Sequence, residues 1–186
     1  MERSYTLNVA GLTRKLPLCK VSEDFYIAAF IMFGDVEMTI NCARDLLALA
    51  PEHDVIITAE SKGIPLLYEM ARQEGKNDYI VARKGPKLYM NGIITTEVNS
   101  ITTAKTQTLC LGGQDADAIR GKRILIVDDV ISTGESLAAL ETLINQIGGN
   151  IVGRMAVLAE GDAIGRKDIT YLAPLPVFHA DGTPIE

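Results

Sequence analysis

Hydrophobic and polar positions change period along this chain, and the changes mark its elements. Between residues 4 and 21 the apolar positions alternate loosely, at Tyr5, Leu7 and Val9 and then at Leu12, Leu16 and Leu18, with Ala10-Gly11 between the halves. That pattern predicts a hairpin. Tyr26–Phe33 is continuously apolar and ends at Gly34-Asp35. Asp35 suits the N-cap of a helix running to Ala50, where Pro51 stops it, with Val36, Ile40, Ala43 and Leu47 as its apolar stripe. Asp54–Ala59 reads as a β-branched strand; Glu60-Ser61-Lys62-Gly63 follows, then a helix with Pro65 in its first turn and Gly75 past its end. Tyr79–Ala82 is a third strand, and Arg83-Lys84-Gly85-Pro86-Lys87 leaves it as a basic turn. Ile93–Leu111 is rich in Thr and β-branched residues and predicts a long hairpin arm with its tip near Ser100–Thr106. Gly112–Gly121 reads as a polar turn, and its Asp115 and Asp117 as solvated. Ile124–Val127 then predicts a buried parallel strand. Leu137, Leu140, Ile144 and Ile147 recur at helical spacing until Gly148-Gly149. Ile151–Ala159 is another strand, and an apolar tail spans Tyr171–Phe178.

Strands alternating with helices predict an α/β fold: a mostly parallel, twisted sheet with helices on both faces. At 186 residues the chain suits one domain, 1–186, with a real core. Its 47% apolar and 23% charged residues are ordinary for a globular protein. A net charge of −6 marks no nucleic-acid surface, so an anionic ligand must be held by local cations and oriented N–H groups. Cys19, Cys42 and Cys110 are an odd, widely spaced set that reads as reduced, packed thiols, with no zinc-type spacing to another Cys or His. The longest apolar run is far short of the ~20 residues of a membrane span, and MERSYTLN has no signal-peptide core. No membrane partner and a cytoplasmic location are the expectations.

The stretch with most chemistry is Ile124–Ser136, ILIVDDVISTGES. A buried strand ends in Asp128 and Asp129; the small polar residues Ser132, Thr133, Gly134 and Ser136, with Glu135 among them, lead into a helix. Such a turn opens at the carboxyl end of a sheet, where open α/β sheets bind ligands. Free N–H groups at the helix start, with Gly permitting close approach, form an anion cradle. The two carboxylates would repel a phosphate unless they face something else, and ribose hydroxyls, which donate to them, are the natural candidate. Three other readings compete. A Walker B strand would need G-x-x-x-x-G-K-[ST], which is absent. A receiver-type first strand would need about twice the chain that follows Asp129. An ordinary strand with a solvated acidic end leaves the STGES sequence unexplained.

ILIVDDVISTGES resembles the phosphoribosyl-pyrophosphate (PRPP) signature of the type I phosphoribosyltransferases, most closely the adenine and xanthine branch, over roughly residues 25–180. The resemblance implies a doubly wound, mostly parallel sheet with a flexible hairpin lid over 93–111 and a small N-terminal hood over 1–35. It implies transfer of phosphoribosyl from PRPP to a purine base, adenine giving AMP and pyrophosphate. Mg²⁺ would be bound mainly through PRPP and pyrophosphate, with no dedicated protein metal site, and a homodimer is expected. Ser132–Ser136 would hold the 5′-phosphate, and Asp128 and Asp129 the ribose hydroxyls. Glu60-Ser61-Lys62-Gly63 resembles the pyrophosphate loop, with Lys62 where the family usually has Arg; a Lys keeps the charge but lacks the bidentate fork. By itself Lys62 would pass for a solvated turn residue. With Ser61, Gly63, Arg83, Lys84 and Lys87 it would meet pyrophosphate.

The base site follows from the same likeness. Phe33 and Gly34, before Asp35, match a stretch that stacks a Phe on the purine, although Gly34 replaces the usual Arg and Phe33 suits a core position equally well. The lid of the adenine enzymes usually carries a Glu; here the stretch is Thr102-Thr103-Ala104-Lys105, as in the xanthine branch, and Lys105 is expected on pyrophosphate as a catalytic residue. Against this, 6-oxopurine branches often carry a Lys where this chain has Gly161, and the tail LAPLPVF has the look of the adenine enzymes. Two alternatives stand beside adenine transfer: a xanthine or other 6-oxopurine transferase, and a non-enzymatic PRPP-binding regulator. The regulators usually carry a DNA-binding domain, and none is visible.

Overall fold

The structure, a computed structural model, describes residues 3–99 and 106–185. Five strands form a wholly parallel sheet: β4 (Val55–Ala59), β5 (Ile80–Ala82), β8 (Arg123–Ile131), β9 (Asn150–Glu160) and β10 (Thr170–Leu175), in the order β10-β9-β8-β4-β5. Side chains alternate across a strand, and two cores result. Leu125, Val127, Met155 and Val157 pack against α1 (Val36–Leu49) and α2 (Ile64–Gln73). Ile124, Ile126 and Ala156 pack on the other face, with α3 (Gly113–Ile119) and α4 (Glu135–Ile147). The expected doubly wound α/β sheet with helices on both faces is what the chain forms.

The N-terminal hairpin is β1 (Ser4–Val9) and β2 (Leu12–Lys20), joined through Ala10 and Gly11, both at positive φ. That is the backbone a two-residue turn needs to match strand twist. β3 (Tyr26–Ala28) and the C-terminal β11 (Val177–Phe178) complete an antiparallel sheet in the order β1-β2-β3-β11. Leu7, Val9, Leu16 and Phe178 are buried in the first core. β6 (Ile94–Asn99) and β7 (Thr106–Leu111) form the expected antiparallel arm. Arg83 exchanges two backbone hydrogen bonds with Cys110, of 2.9 and 2.8 Å, and so ties the arm's base to the end of β5.

Four expectations are corrected. The buried face of α1 is Met38, Thr39, Cys42, Ala43 and Leu46, while Val36 and Ile40 are 69% and 41% exposed. Both arcs of this helix are apolar; of the expected stripe Ala43 lies on the buried face and Leu47 packs against its edge. Residues 113–119 form a helix, because Ala116 and Ile119 seal the second core one turn apart and override the polar composition around them. Cys42 and Cys110 are buried as expected, but Cys19 is exposed on β2. β8 does not stop before the aspartates; it stays paired with β9 as far as Ile131. The cap is as expected: Asp35 accepts from the Met38 N–H at 3.0 Å, and Arg14 of β2 clamps the same carboxylate at 2.7 and 3.1 Å, holding it below the usual carboxylate range. The hairpin is thereby pinned to the start of α1.

Candidate active site

β8 carries Asp128 and Asp129 to the carboxyl end of the sheet, next to the ends of β4 and β9. Neighbouring strand residues face opposite ways, and the two carboxyls open onto different cavities. Asp128 lines a small one of about 120 Å³ with Val130–Leu137, the turn into α4. Ser132, Thr133, Gly134, Glu135 and Ser136 are all on its wall. Gly134 is the N-cap of α4 with φ 82°, a left-handed backbone that an L side chain resists. The Arg166 guanidinium lies over it: held by Asp168 through hydrogen bonds of 3.0 and 2.6 Å, it leaves Nη1 at 2.7 Å from where a Cβ on Gly134 would stand.

Asp129 lines a second cavity of about 300 Å³, within the range of small-ligand pockets. Its walls include Phe30, Ile31 and Leu175 on the apolar side and Lys62, Ser132 and Glu160 on the polar side. Ser132 and Val130 border both cavities, so the two adjoin.

Burial raises the pKa of both aspartates above the ordinary value, and at Asp128 the charge of Asp129 adds to it. Burial also raises Glu160. Lys62 opposes the rise at all three. Asp128 Oδ1 accepts from the Asp129 N–H at 2.9 Å. Asp129 is 5% exposed, and its Oδ2 has no hydrogen-bond partner among the described residues. A buried acceptor without a donor marks a place where a ligand's hydroxyl or a cation belongs.

The turn after β4 packs directly on this pair. Gly63 is buried at the start of α2, and a Cβ there would stand 2.4 Å from Thr58 Oγ1 and 3.1 Å from Asp128 Oδ1. Only a glycine lets the backbone approach so closely. Ser61 and Lys62 stand exposed beside it. Glu60 accepts from the Lys84 N–H at 3.0 Å and pairs with Arg83 at 3.2 Å, which holds its carboxyl below the usual range. The two turns are thus one unit that brings Lys62, Arg83 and Lys84 to the same end of the sheet. Lys87 is half-buried on the same basic turn, and Arg83 Nε is buried with no partner among the described residues. Lys105 lies outside the described residues.

The expected base platform does not line either cavity. Phe30 and Met32 turn into the core at 5% and 1% exposure, which leaves Ile31 and Phe33 outward, and Gly34 then turns the chain at φ 83° into the capped helix. Ile31 reaches the larger cavity; Phe33 is 52% exposed, and Gly34 borders a separate apolar groove with Val36, Ile40, Pro65 and Tyr68. Glu160, Thr58 and Arg166 escaped the sequence reading. Glu160 had a signal, since an acid closing a buried strand is also what marks Asp128. Thr58 and Arg166 had none, because only the fold brings them against Gly63 and Gly134.

Among the described residues no three His, Cys, Asp or Glu side chains converge to hold a metal ion, and no helix is long and apolar enough to cross a membrane. The donor set fits a Mg²⁺ ion held chiefly by a ligand's own oxygens, with Asp129 Oδ2 the free protein oxygen nearby.

Comparison with known proteins matches residues 38–180 to the phosphoribosyl transferase domain. Adenine phosphoribosyltransferase of Rhodococcus jostii is 31% identical over 146 residues, 77% of this chain and 78% of that protein. Hypoxanthine/guanine phosphoribosyltransferase of Methanococcus voltae is 30% identical over 160 residues, 83% and 81% of the two chains. The crystal structure of adenine phosphoribosyltransferase from Thermoanaerobacter pseudethanolicus superposes with a TM-score of 0.63 at 23% identity, over 80% of this chain and 95% of that one, and shares the fold.

Proposed function

From the premise that this chain belongs to the phosphoribosyl transferase family, we propose a purine phosphoribosyltransferase that converts adenine and PRPP to AMP and pyrophosphate. The observation that carries the reading is the pair of adjoining cavities, one walled by the anion-cradling turn and Asp128, the other by Asp129, Lys62 and an apolar wall. The Ser132–Ser136 turn holds the 5′-phosphate through its N–H groups and hydroxyls. Asp128 and Asp129 accept from the ribose 2′ and 3′ hydroxyls, and the unpartnered Asp129 Oδ2 gains its donor there. The base lies in the larger cavity between Ile31 and Leu175.

In the reaction N9 of the base attacks C1′ as the C1′–O bond to pyrophosphate breaks. The bonding electrons leave with pyrophosphate, and the N9 proton of the base passes to the departing pyrophosphate or to solvent. C1′ passes through an oxocarbenium-like state, and the nearby aspartates stabilise that charge. Lys62, Arg83, Lys84 and Lys87, with Ser61 and the Gly63 backbone, take the departing pyrophosphate. Lys105 reaches it when the 93–111 arm closes and excludes water. Asp129 would stand beside a Mg²⁺ ion brought with PRPP, and that ion would supply charge neutralisation to the leaving group. No covalent nucleophile is needed, and positioning with charge stabilisation does the work.

A cytoplasmic, homodimeric enzyme of nucleotide salvage completes the proposal, with residues 1–35 as hood in a single domain over 1–186. Exposed Phe33, Val36 and Tyr68 beside the apolar groove favour a self-contact. A 6-oxopurine transferase is the second reading, favoured by the absence of an acid in Thr102–Lys105 and by the Methanococcus relative. The test is pyrophosphate release from PRPP and Mg²⁺ with adenine, hypoxanthine, guanine or xanthine. Adenine as best substrate is the expected result. A preferred oxopurine selects the second reading, and PRPP binding with no turnover on any base makes the protein a PRPP-binding regulator.

A further inference from the structure

The larger cavity holds an acidic group that phosphoribosyl transfer does not require. Glu160 is the last residue of β9, half-buried, hydrogen-bonded to Ser132 and close enough to Lys62 and Asp129 to respond to their charges. Among the described residues on that wall with polar side chains, Asp129, Ser132 and Glu160 present oxygen, and Lys62 alone presents a charged nitrogen. A Ser132 hydroxyl that gives its one proton to the Glu160 carboxylate keeps only lone pairs, and the pair then accepts hydrogen bonds and offers none. Lys62 is already opposite three carboxyls, Asp128, Asp129 and Glu160, and in the proposed reaction it turns to pyrophosphate. Burial leaves the Glu160 carboxylate short of water, which a ligand N–H would replace.

Resting on the base cavity of the proposed function, we infer that Glu160 is its specificity-determining residue: with Ser132 it forms an acceptor corner that takes the exocyclic amino group of a 6-aminopurine and rejects a 6-oxo group. An amino group offers N–H donors to this corner. A carbonyl in the same place sets oxygen against oxygen and leaves the carboxylate unpaired. Glu160 thus fills the discriminating role that neither Gly161 nor the acid-free stretch Thr102–Lys105 can fill.

The experiment compares kcat/KM for adenine, hypoxanthine and unsubstituted purine in wild type, Glu160→Gln and Glu160→Ala. Wild type is expected to favour adenine over purine by about tenfold, and Glu160→Ala to lose that preference. Glu160→Gln, with an amide N–H to give to O6, is expected to lower the adenine-to-hypoxanthine ratio by about tenfold or more. A merely structural Glu160 would depress all three bases alike, and an unchanged ratio in a folded variant overturns the inference. If neither variant folds, the wild-type comparison decides, and equal values for adenine and purine overturn it. A wild type that prefers hypoxanthine overturns the inference and leaves phosphoribosyl transfer standing. A wild type that serves no base removes the transfer reading and this inference with it.

Discussion

Two turns in this molecule are built alike and use glycine for opposite reasons. Each follows a parallel strand, β4 or β8, and each starts a helix with a glycine and no side-chain cap. At Gly134 the glycine is needed for its backbone, at φ 82°. At Gly63 the backbone is ordinary, φ −70° and ψ −11°, and the glycine is needed for space, against Thr58 and Asp128. The chemistry divides the same way. The β8 turn carries two desolvated carboxyls and hydroxyls, the β4 turn an exposed lysine braced through Glu60 to a second basic turn. In the proposed reaction the β8 turn would hold the phosphate that stays, and the cations of the β4 and β5 turns the pyrophosphate that leaves.

The sharpest break in the comparison comes at the carboxyls. Asp128→Asn with Asp129→Asn should lower kcat/KM for PRPP by about a hundredfold or more, the scale of two lost charge-assisted hydrogen bonds. The same variant should be the more stable protein without ligand. Both carboxyls have a raised folded-state pKa, so between their ordinary value of 3.8 and that raised value the native state holds more protons than the unfolded chain. Stability is then greatest below the ordinary value and declines as pH rises through the folded one. Thermal unfolding of the ligand-free wild type should show that decline, and the Asn pair should flatten it. A variant that binds PRPP like wild type removes the diol-clamp role. One that is less stable than wild type at pH 8 removes the claim that burying these carboxyls costs stability.

The second effect in size belongs to the crowded glycine. Gly63→Ala drives a methyl group into Thr58 Oγ1 in a site with no free volume, at a cost of about 1–3 kcal/mol. Thr58→Ala should recover part of it: the next atom, Asp128 Oδ1, stands at 3.1 Å and must give by a few tenths of an ångström, while Thr58 Cβ stands at an ordinary 3.4 Å. Denaturant unfolding of the two single variants and the double measures the coupling. Strict additivity would mean that the clash is relieved elsewhere, and Asp128 Oδ1 would then be the atom that moves.

Most of the sheet was legible in the chain because buried parallel strands are unbroken apolar runs and their helices begin and end at Gly, Pro or Asp. The β8 turn was legible for the same reason, since backbone conformation leaves its mark locally, in S-T-G-E-S. The rotated face of α1 was not, because both of its arcs are apolar and only packing chooses between them. The outward turn of Phe33 was not legible either, because within an apolar run no local pattern says that Phe30 faces in and Phe33 out. Glu160 carried a local mark, an acid at the end of a buried strand, but its place beside Asp129 and that of Thr58 against Gly63 come only from the neighbouring strands, which no local pattern records.

The smallest effect tests whether the two glycines really differ in kind. Gly134→Ala should cost about 1–2 kcal/mol, the penalty of a left-handed backbone for an L residue. Its Cβ would also meet Arg166 Nη1 at 2.7 Å, but that atom is the far end of a flexible side chain and can swing aside. Removing it with Arg166→Ala should therefore restore almost nothing, in contrast to the Gly63 and Thr58 pair. Gly134→Asn should cost less than Gly134→Ala, because Asn tolerates positive φ. The readout is the same unfolding cycle, with ribose 5-phosphate affinity as a check that the cradle keeps its shape. Recovery beyond about 0.5 kcal/mol in the Arg166 double variant, more than independent sites normally show, would make Gly134 a second glycine of space, and the contrast between the two turns would be one of charge alone.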